Sequence, residues 1–257
     1  MQKSFVRHSA EKGGEAVKVA IVDKRLPQNM EDELSSRGFS VIKLPASKRL
    51  SAPVASHTDM LLFRGEKTLI GSKEYFCENE ELTDKIRTAL PDYEIVEADD
   101  IFDAEYPRDT VFNARVMGAY VIARVQSISN EVMAYAKARG LEIISVNQGY
   151  SACLTLSIGD KLIYTSDKGI ANKVESFGIK AKVIPEYGCI SLPPYKNGFI
   201  GGCCGIYGSD IYFIGNAEAL PCYEELKNDA DALGYNIISL DPNSGTLLDL
   251  GGIIFAE

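Results

Sequence analysis

Apolar and polar positions along the chain follow two periods that succeed one another five times. A polar segment with apolar residues at three- and four-residue spacing, as a one-faced helix requires, is followed by a turn residue and a short run of β-branched side chains. After a loop come two further apolar runs separated by a glycine turn, the pattern of a β-hairpin. The helical segments read NMEDELSSR, ENEELTDKIRTAL, NEVMAYAKAR, KGIANKVESF and AEALPCYEELKNDADAL. Acidic residues gather towards their starts, where they oppose the positive end of a helix dipole. The strands read FSVIKL from Phe39, YEIVEA from Tyr93, LEIISV from Leu141, IKAKVI from Ile179 and YNIISL from Tyr235. Four of them follow a glycine (Gly38, Gly140, Gly178, Gly234), which supplies the left-handed backbone that closes a helix; the remaining one follows Pro91 and Asp92. Hairpins are expected at LLFRGEKTLIG, VFNARVMGAYVIA, LTLSIGDKLIYT, FIGGCCGIYGSDIYFIG and LLDLGGIIF. An extra strand, VKVAIVD from Val17, precedes the first helix and is suited to pair with the last hairpin and close a ring.

Units alike in order but unequal in length cannot readily be cut into two cores, because each leaves a sheet face for its neighbours to cover. The expectation is therefore one soluble α/β domain over residues 1–257, with residues 1–15 flexible. A pseudo-fivefold α/β propeller of degenerate helix-strand-hairpin repeats tolerates such unequal loops better than a stacked solenoid does. Its binding site would be the central mouth, where the loops after the strands converge.

Composition narrows the partners. Hydrophobic residues make up 46% and charged residues 25%, enough apolar surface for a substantial core. The net charge of −9, without any Lys/Arg cluster, repels polyphosphate and argues against nucleic acid. No apolar run approaches the ~20 residues that cross a bilayer, and MQKSFVRHSAEKGGEA has no signal-type stretch, so a cytoplasmic protein with no membrane partner is expected. Six cysteines without a C-x-x-C pair, beside two histidines, give little basis for a metal site, and no cofactor is expected.

The five ββαβ-type units around a pseudo-fivefold axis resemble the pentein, or guanidino-group-modifying, superfamily of arginine and agmatine deiminases, dimethylarginine hydrolases and amidinotransferases. The sharpest local element is Pro107-Arg108-Asp109-Thr110, similar to an Arg-Asp segment in the second unit of those enzymes. The resemblance implies that Asp109 holds a guanidinium through paired charge-assisted hydrogen bonds, with Arg108 beside it. The terminal LLDLGGIIFAE is similar to the family's glycine-rich last unit, yet no cysteine follows Cys222, where the family's nucleophile is expected. The fourth-unit stretch LPPYKNGFIGGCCGIYG lacks the family's histidine, and NQGYSACLTLSIGD replaces its acidic third-unit turn. The resemblance thus implies a divergent branch rather than a deiminase.

Other residues offer chemistry of their own. Cys153 begins the third hairpin at the place Asp59 takes in the first, so both are expected near the mouth, with His57 as the candidate base and Arg108 as a cation to acidify the thiol. Cys203 and Cys204 fall in a glycine-rich strand whose alternation sends them to opposite faces, Gly201, Gly202 and Gly205 marking a bulge. Tyr106, Tyr150, Tyr195, Asn147, Asn197, Asp241, Asn243 and Ser244 supply a rim suited to a small polar ligand, although turns demand the same residue types. The leading reading is a central cleft that binds a small polar, guanidino- or amine-bearing molecule. The alternatives are a hydrolase or transferase using Cys153, and a non-enzymatic scaffold whose mouth is filled by side chains.

Overall fold

The computed structural model describes residues 17–185 and 188–257; His8 and the flexibility expected of residues 1–15 lie outside the described residues. All five expected strands form, and each expected helical segment contains a helix. The described residues include five three-stranded sheets of one pattern. In four of them a hairpin is followed by a helix and then by a strand that pairs in parallel with the hairpin's second strand. These sets are Leu62–Gly65, Thr68–Ser72 and Glu94–Ala98; Arg115–Met117, Tyr120–Ala123 and Glu142–Ser145; Thr155–Ile158, Leu162–Thr165 and Lys180–Val183; and Cys204–Tyr207, Asp210–Phe213 and Asn236–Ser239. The unit thus runs hairpin, helix, strand, because parallel neighbours need a crossover and the helix provides it. The remaining sheet takes its strands from distant parts of the chain: Val19–Asp23 pairs antiparallel with Ile254–Ala256 and parallel with Ser40–Leu44. The early strand therefore joins the last one, as its sequence suggested.

LLDLGGIIF is not a hairpin. Leu247–Leu248 pairs in parallel with Ile190–Ser191, while Ile254–Ala256 belongs to the sheet of Val19–Asp23. Gly251 and Gly252, at φ +72° and +77°, turn the chain between these two sheets instead of returning it on itself. The GGCCG stretch also departs from expectation, since Gly201–Cys203 is a 3-10 turn and the strand begins at Cys204. The turn breaks the alternation, and both thiols lie against the Ile200 carbonyl, at 3.2 and 3.1 Å. A Cβ at Gly201 would stand 2.1 Å from the Ala152 oxygen and one at Gly202 2.0 Å from Asp249 Oδ1, so close approach of the protein's own groups demands these glycines.

The four expected helix stops share one geometry. Gly38, Gly140, Gly178 and Gly234 all have positive φ. The amide after each bonds a carbonyl in the last helical turn: Phe39 to Leu34, Leu141 to Ala136, Ile179 to Val174 and Tyr235 to Ala230. The helices lay their apolar sides on the sheets, burying Met30 and Leu34, Thr83 and Ile86, Val132 and Ala136, Ile170 and Val174, and Leu226 and Ala230. No helix among the described residues is long and apolar enough to cross a membrane.

Two cavities among the described residues follow from this arrangement and bear on the site. One strand of each sheet (Leu62–Gly65, Arg115–Met117, Thr155–Ile158, Cys204–Tyr207 and Ile254–Ala256) contributes to the wall of a cavity of about 130 Å³, here called the strand cavity. The segments leading into those same five strands wall a second cavity of about 260 Å³, the mouth.

Candidate functional site

The mouth gathers His57, Asp109, Tyr150, Cys153 and Asn197, all expected from the sequence, with Tyr106 and Tyr195 at its rim. Asp109 sits in a short 3-10 turn, Arg108–Thr110, which sinks it to 4% exposure. The Tyr150 hydroxyl donates to Asp109 Oδ2 at 2.5 Å, while Oδ1 is buried without a hydrogen-bond partner. Burial raises the Asp109 pKa and the Tyr150 hydrogen bond opposes the rise. Tyr150 in turn is pushed far above the usual phenol range, by burial first and then by the carboxylate it serves. Its ring is 5.4 Å from that of Tyr106 and 6.4 Å from that of Phe199, so three aromatic rings line one side of the mouth.

Arg108 goes elsewhere. Its side chain is 70% exposed, 3.7 Å from Asp103, and does not line the mouth. An exposed guanidinium keeps its hydration at the surface, so Arg108 is not the cation that Cys153 would need.

Around Cys153 the wall is built from buried polar groups. Asn113 Nδ2 donates to Cys153 Sγ at 3.0 Å and to the Asp59 carbonyl at 3.1 Å, while its Oδ1 accepts from the Ala152 amide at 2.7 Å. Burial, with Asp59 and Asp249 adding negative charge, raises the Cys153 pKa well above that of an ordinary thiol. Cys153 is therefore a neutral thiol at physiological pH. His57 shares the mouth, its Nδ1 3.8 Å from Asp249 Oδ1 and its buried Nε2 unpartnered. Desolvation lowers its pKa against the pull of Asp249, which keeps the imidazole neutral. Asp249 itself is held by the Phe199 amide at 2.8 Å and the Gly251 amide at 3.1 Å.

Asp59 lines the strand cavity rather than the mouth, separated from it by the wall that carries Cys153. Its carboxylate oxygens accept from no N–H or O–H group, the Cys153 thiol being the one donor beside them, and burial, reinforced by Asp249, lifts its pKa to about 7. Of the other rim residues, Asn147 lines a neighbouring cleft, and Asp241, Asn243 and Ser244 form a turn in which the Asn243 amide donates to Asp241 Oδ1 at 3.2 Å. Asp249, Asn113 and Arg115 were missed by sequence reasoning. The signal available was a lone polar residue in an apolar run, as in LLDLGG and VFNAR. Among the described residues no group of three His, Cys, Asp or Glu side chains is placed to hold a metal ion.

Comparison with known proteins bears on the fold. A model described as a family of unknown function (DUF6873) matches residues 21–254. No curated protein matches the sequence. Among solved structures, a dimethylarginine dimethylaminohydrolase captured as an adduct with S-methyl-L-thiocitrulline is similar at a TM-score of 0.54 and 12% identity, over 88% of this chain and 92% of that one. SxtG, an amidinotransferase of saxitoxin biosynthesis from Microseira wollei, is similar at 0.53 and 10% identity, over 91% and 94%. A C. jejuni agmatine deiminase with substrate bound is similar at 0.52 and 12% identity, over 92% and 81%. At such identities the likeness is one of fold, and that fold is the mixed α/β fold of the pentein superfamily.

Proposed function

Because the chain belongs to the DUF6873 family, of unknown function, and carries the pentein fold, we propose that it binds a small guanidino- or amine-bearing cation in the mouth. The observation that carries this reading is Asp109: its Oδ1 is buried without a partner, beside aromatic rings, in a cavity of about 260 Å³. Leaving a buried carboxylate oxygen unpaired costs about 1–3 kcal/mol, and a ligand N–H group removes that cost. The Tyr106, Tyr150 and Phe199 rings favour a cation over a neutral molecule through their π faces. The structural neighbours named above handle agmatine and dimethylarginine-type compounds, which agrees with the class of ligand.

The reading includes a single domain whose five sheets surround a pseudo-fivefold axis. Its support is the contribution of one strand per sheet to the strand cavity and one lead-in segment per strand to the mouth. Binding is favoured over a Cys153-dependent reaction because the thiol is neutral and faces carboxylates rather than cations. The unfilled mouth favours a binder over a plain scaffold.

Calorimetric titration with agmatine, arginine and guanidinium, with neutral citrulline as control, tests the proposal. The expected result is saturable binding of at least one of the cations at one per chain, weakened about 10- to 100-fold by Asp109→Asn, the loss of one charge-assisted contact. No saturable binding of any cation, or equal affinity in D109N, would overturn it.

A further inference from the structure

We propose that the strand cavity is a second binding site, distinct from the mouth, and that it takes a small monocarboxylate. Four side chains of the wall carry the argument. Asp59 presents two buried oxygens that accept from no N–H or O–H group and have only the Cys153 thiol beside them, Thr155 a buried unpartnered hydroxyl, and Arg115 a buried Nε–H with no acceptor. The other side of the Arg115 guanidinium is engaged, Nη2 donating to the Ala152 carbonyl at 2.8 Å, so the side chain is held in place. Arg64, exposed and without an ion pair among the described residues, lines the same cavity. Buried polar groups are ordinarily hydrogen-bonded, and three that line one cavity of about 130 Å³ call for a shared polar occupant.

Charge selects its class. Two guanidinium groups stand against one carboxyl group in this wall, so the cavity attracts an anion. A planar carboxylate matches a guanidinium edge and accepts from the Thr155 hydroxyl. It also pairs with Asp59 by sharing one proton between two carboxyl groups, an arrangement open to an acid partner and closed to a metal cation. A phosphate dianion would bring a second charge against Asp59 in a space already bounded by Asp249 behind the wall. The groups that face Asp59 electrostatically are Cys153, Cys204, Asp249 and Arg115, and the shared proton is lost as the pH rises through about 7. Binding therefore weakens on the alkaline side.

Titration with sodium propionate, followed by calorimetry at about pH 6 and about pH 8.5, tests the site independently of the mouth. The expected result is one propionate per chain at the lower pH, with affinity reduced about 30-fold at the higher pH, the fall in the protonated fraction of a group titrating near 7. Arg64→Ala, at an exposed position, and the near-isosteric Thr155→Val are each expected to weaken binding at least about threefold, while D109N leaves it unchanged. The proposal is overturned if propionate shows no saturable binding up to about 50 mM, a threshold near the weakest useful affinity. It is equally overturned if R64A and T155V both bind as tightly as the unaltered chain, or if potassium, ammonium or phosphate saturates the protein where propionate does not.

Discussion

Asp59 holds a proton up to about pH 7 in the folded protein, whereas in an unfolded chain a carboxyl group releases it near 3.8. Between those values the folded state binds more protons, so stability falls as the pH rises through the window, and the loss is complete above about 7. Asp249, also raised by burial, acts in the same sense. His57 acts from the other side: its lowered pKa makes protonation below 6.5 favour the unfolded chain, so its contribution falls as the solution becomes acidic. Asp59→Asn keeps the shape and removes the charge. Its melting temperature is expected to exceed that of the unaltered protein at about pH 8 and to converge with it near pH 4, with an upper bound of roughly 4 kcal/mol at about 1.4 kcal/mol per unit. Coincident melting curves at both pH values would contradict this assignment. The shift was not legible in the chain: the sequence placed Asp59 with Cys153, but not its burial nor the nearness of Asp249.

At the scale of the element, the helix stops are local and were legible. The Tyr235 amide reaches the Ala230 carbonyl at 2.8 Å only because Gly234 adopts φ +80°, and a Cβ there would meet nothing within 4 Å. The cost of Gly234→Ala is therefore backbone strain alone, about 1–2 kcal/mol, read as a lower urea midpoint with an unchanged slope. The units' phase was not equally legible. Helix, strand and hairpin recur in every reading frame of a repeat, and only the parallel pairing of Glu94–Ala98 with Thr68–Ser72, or Asn236–Ser239 with Asp210–Phe213, decides that the hairpin comes first. The same applies to LLDLGGIIF, whose turn residues are right for a hairpin but whose two strands find partners in different sheets.

Across the whole molecule, the pairing of Val19–Asp23 with Ile254–Ala256 ties the two ends of the described fold together. Phe255 anchors that seam, its ring 4.8 Å from Phe39 and 4.9 Å from Tyr212, at 1% exposure. Phe255→Ala is expected to cost about 3–5 kcal/mol, a buried aromatic exchanged for a cavity, and to move a single cooperative unfolding transition to lower denaturant. Two separated transitions would contradict the single-domain proposal. By itself the sequence located the five helices and the strands that follow them, and the four glycine helix stops, since periodicity and turn glycines act within a few positions of one another. It also marked mouth residues on separate loops, such as Asp109 and Tyr150. The tertiary structure alone decided which strands pair, that Arg108 faces outward, that Asp59 lines the strand cavity while Cys153 beside it lines the mouth, and that their protons are held tightly. Those outcomes depend on desolvation and on contacts between segments far apart in the chain, and neither is written in local pattern.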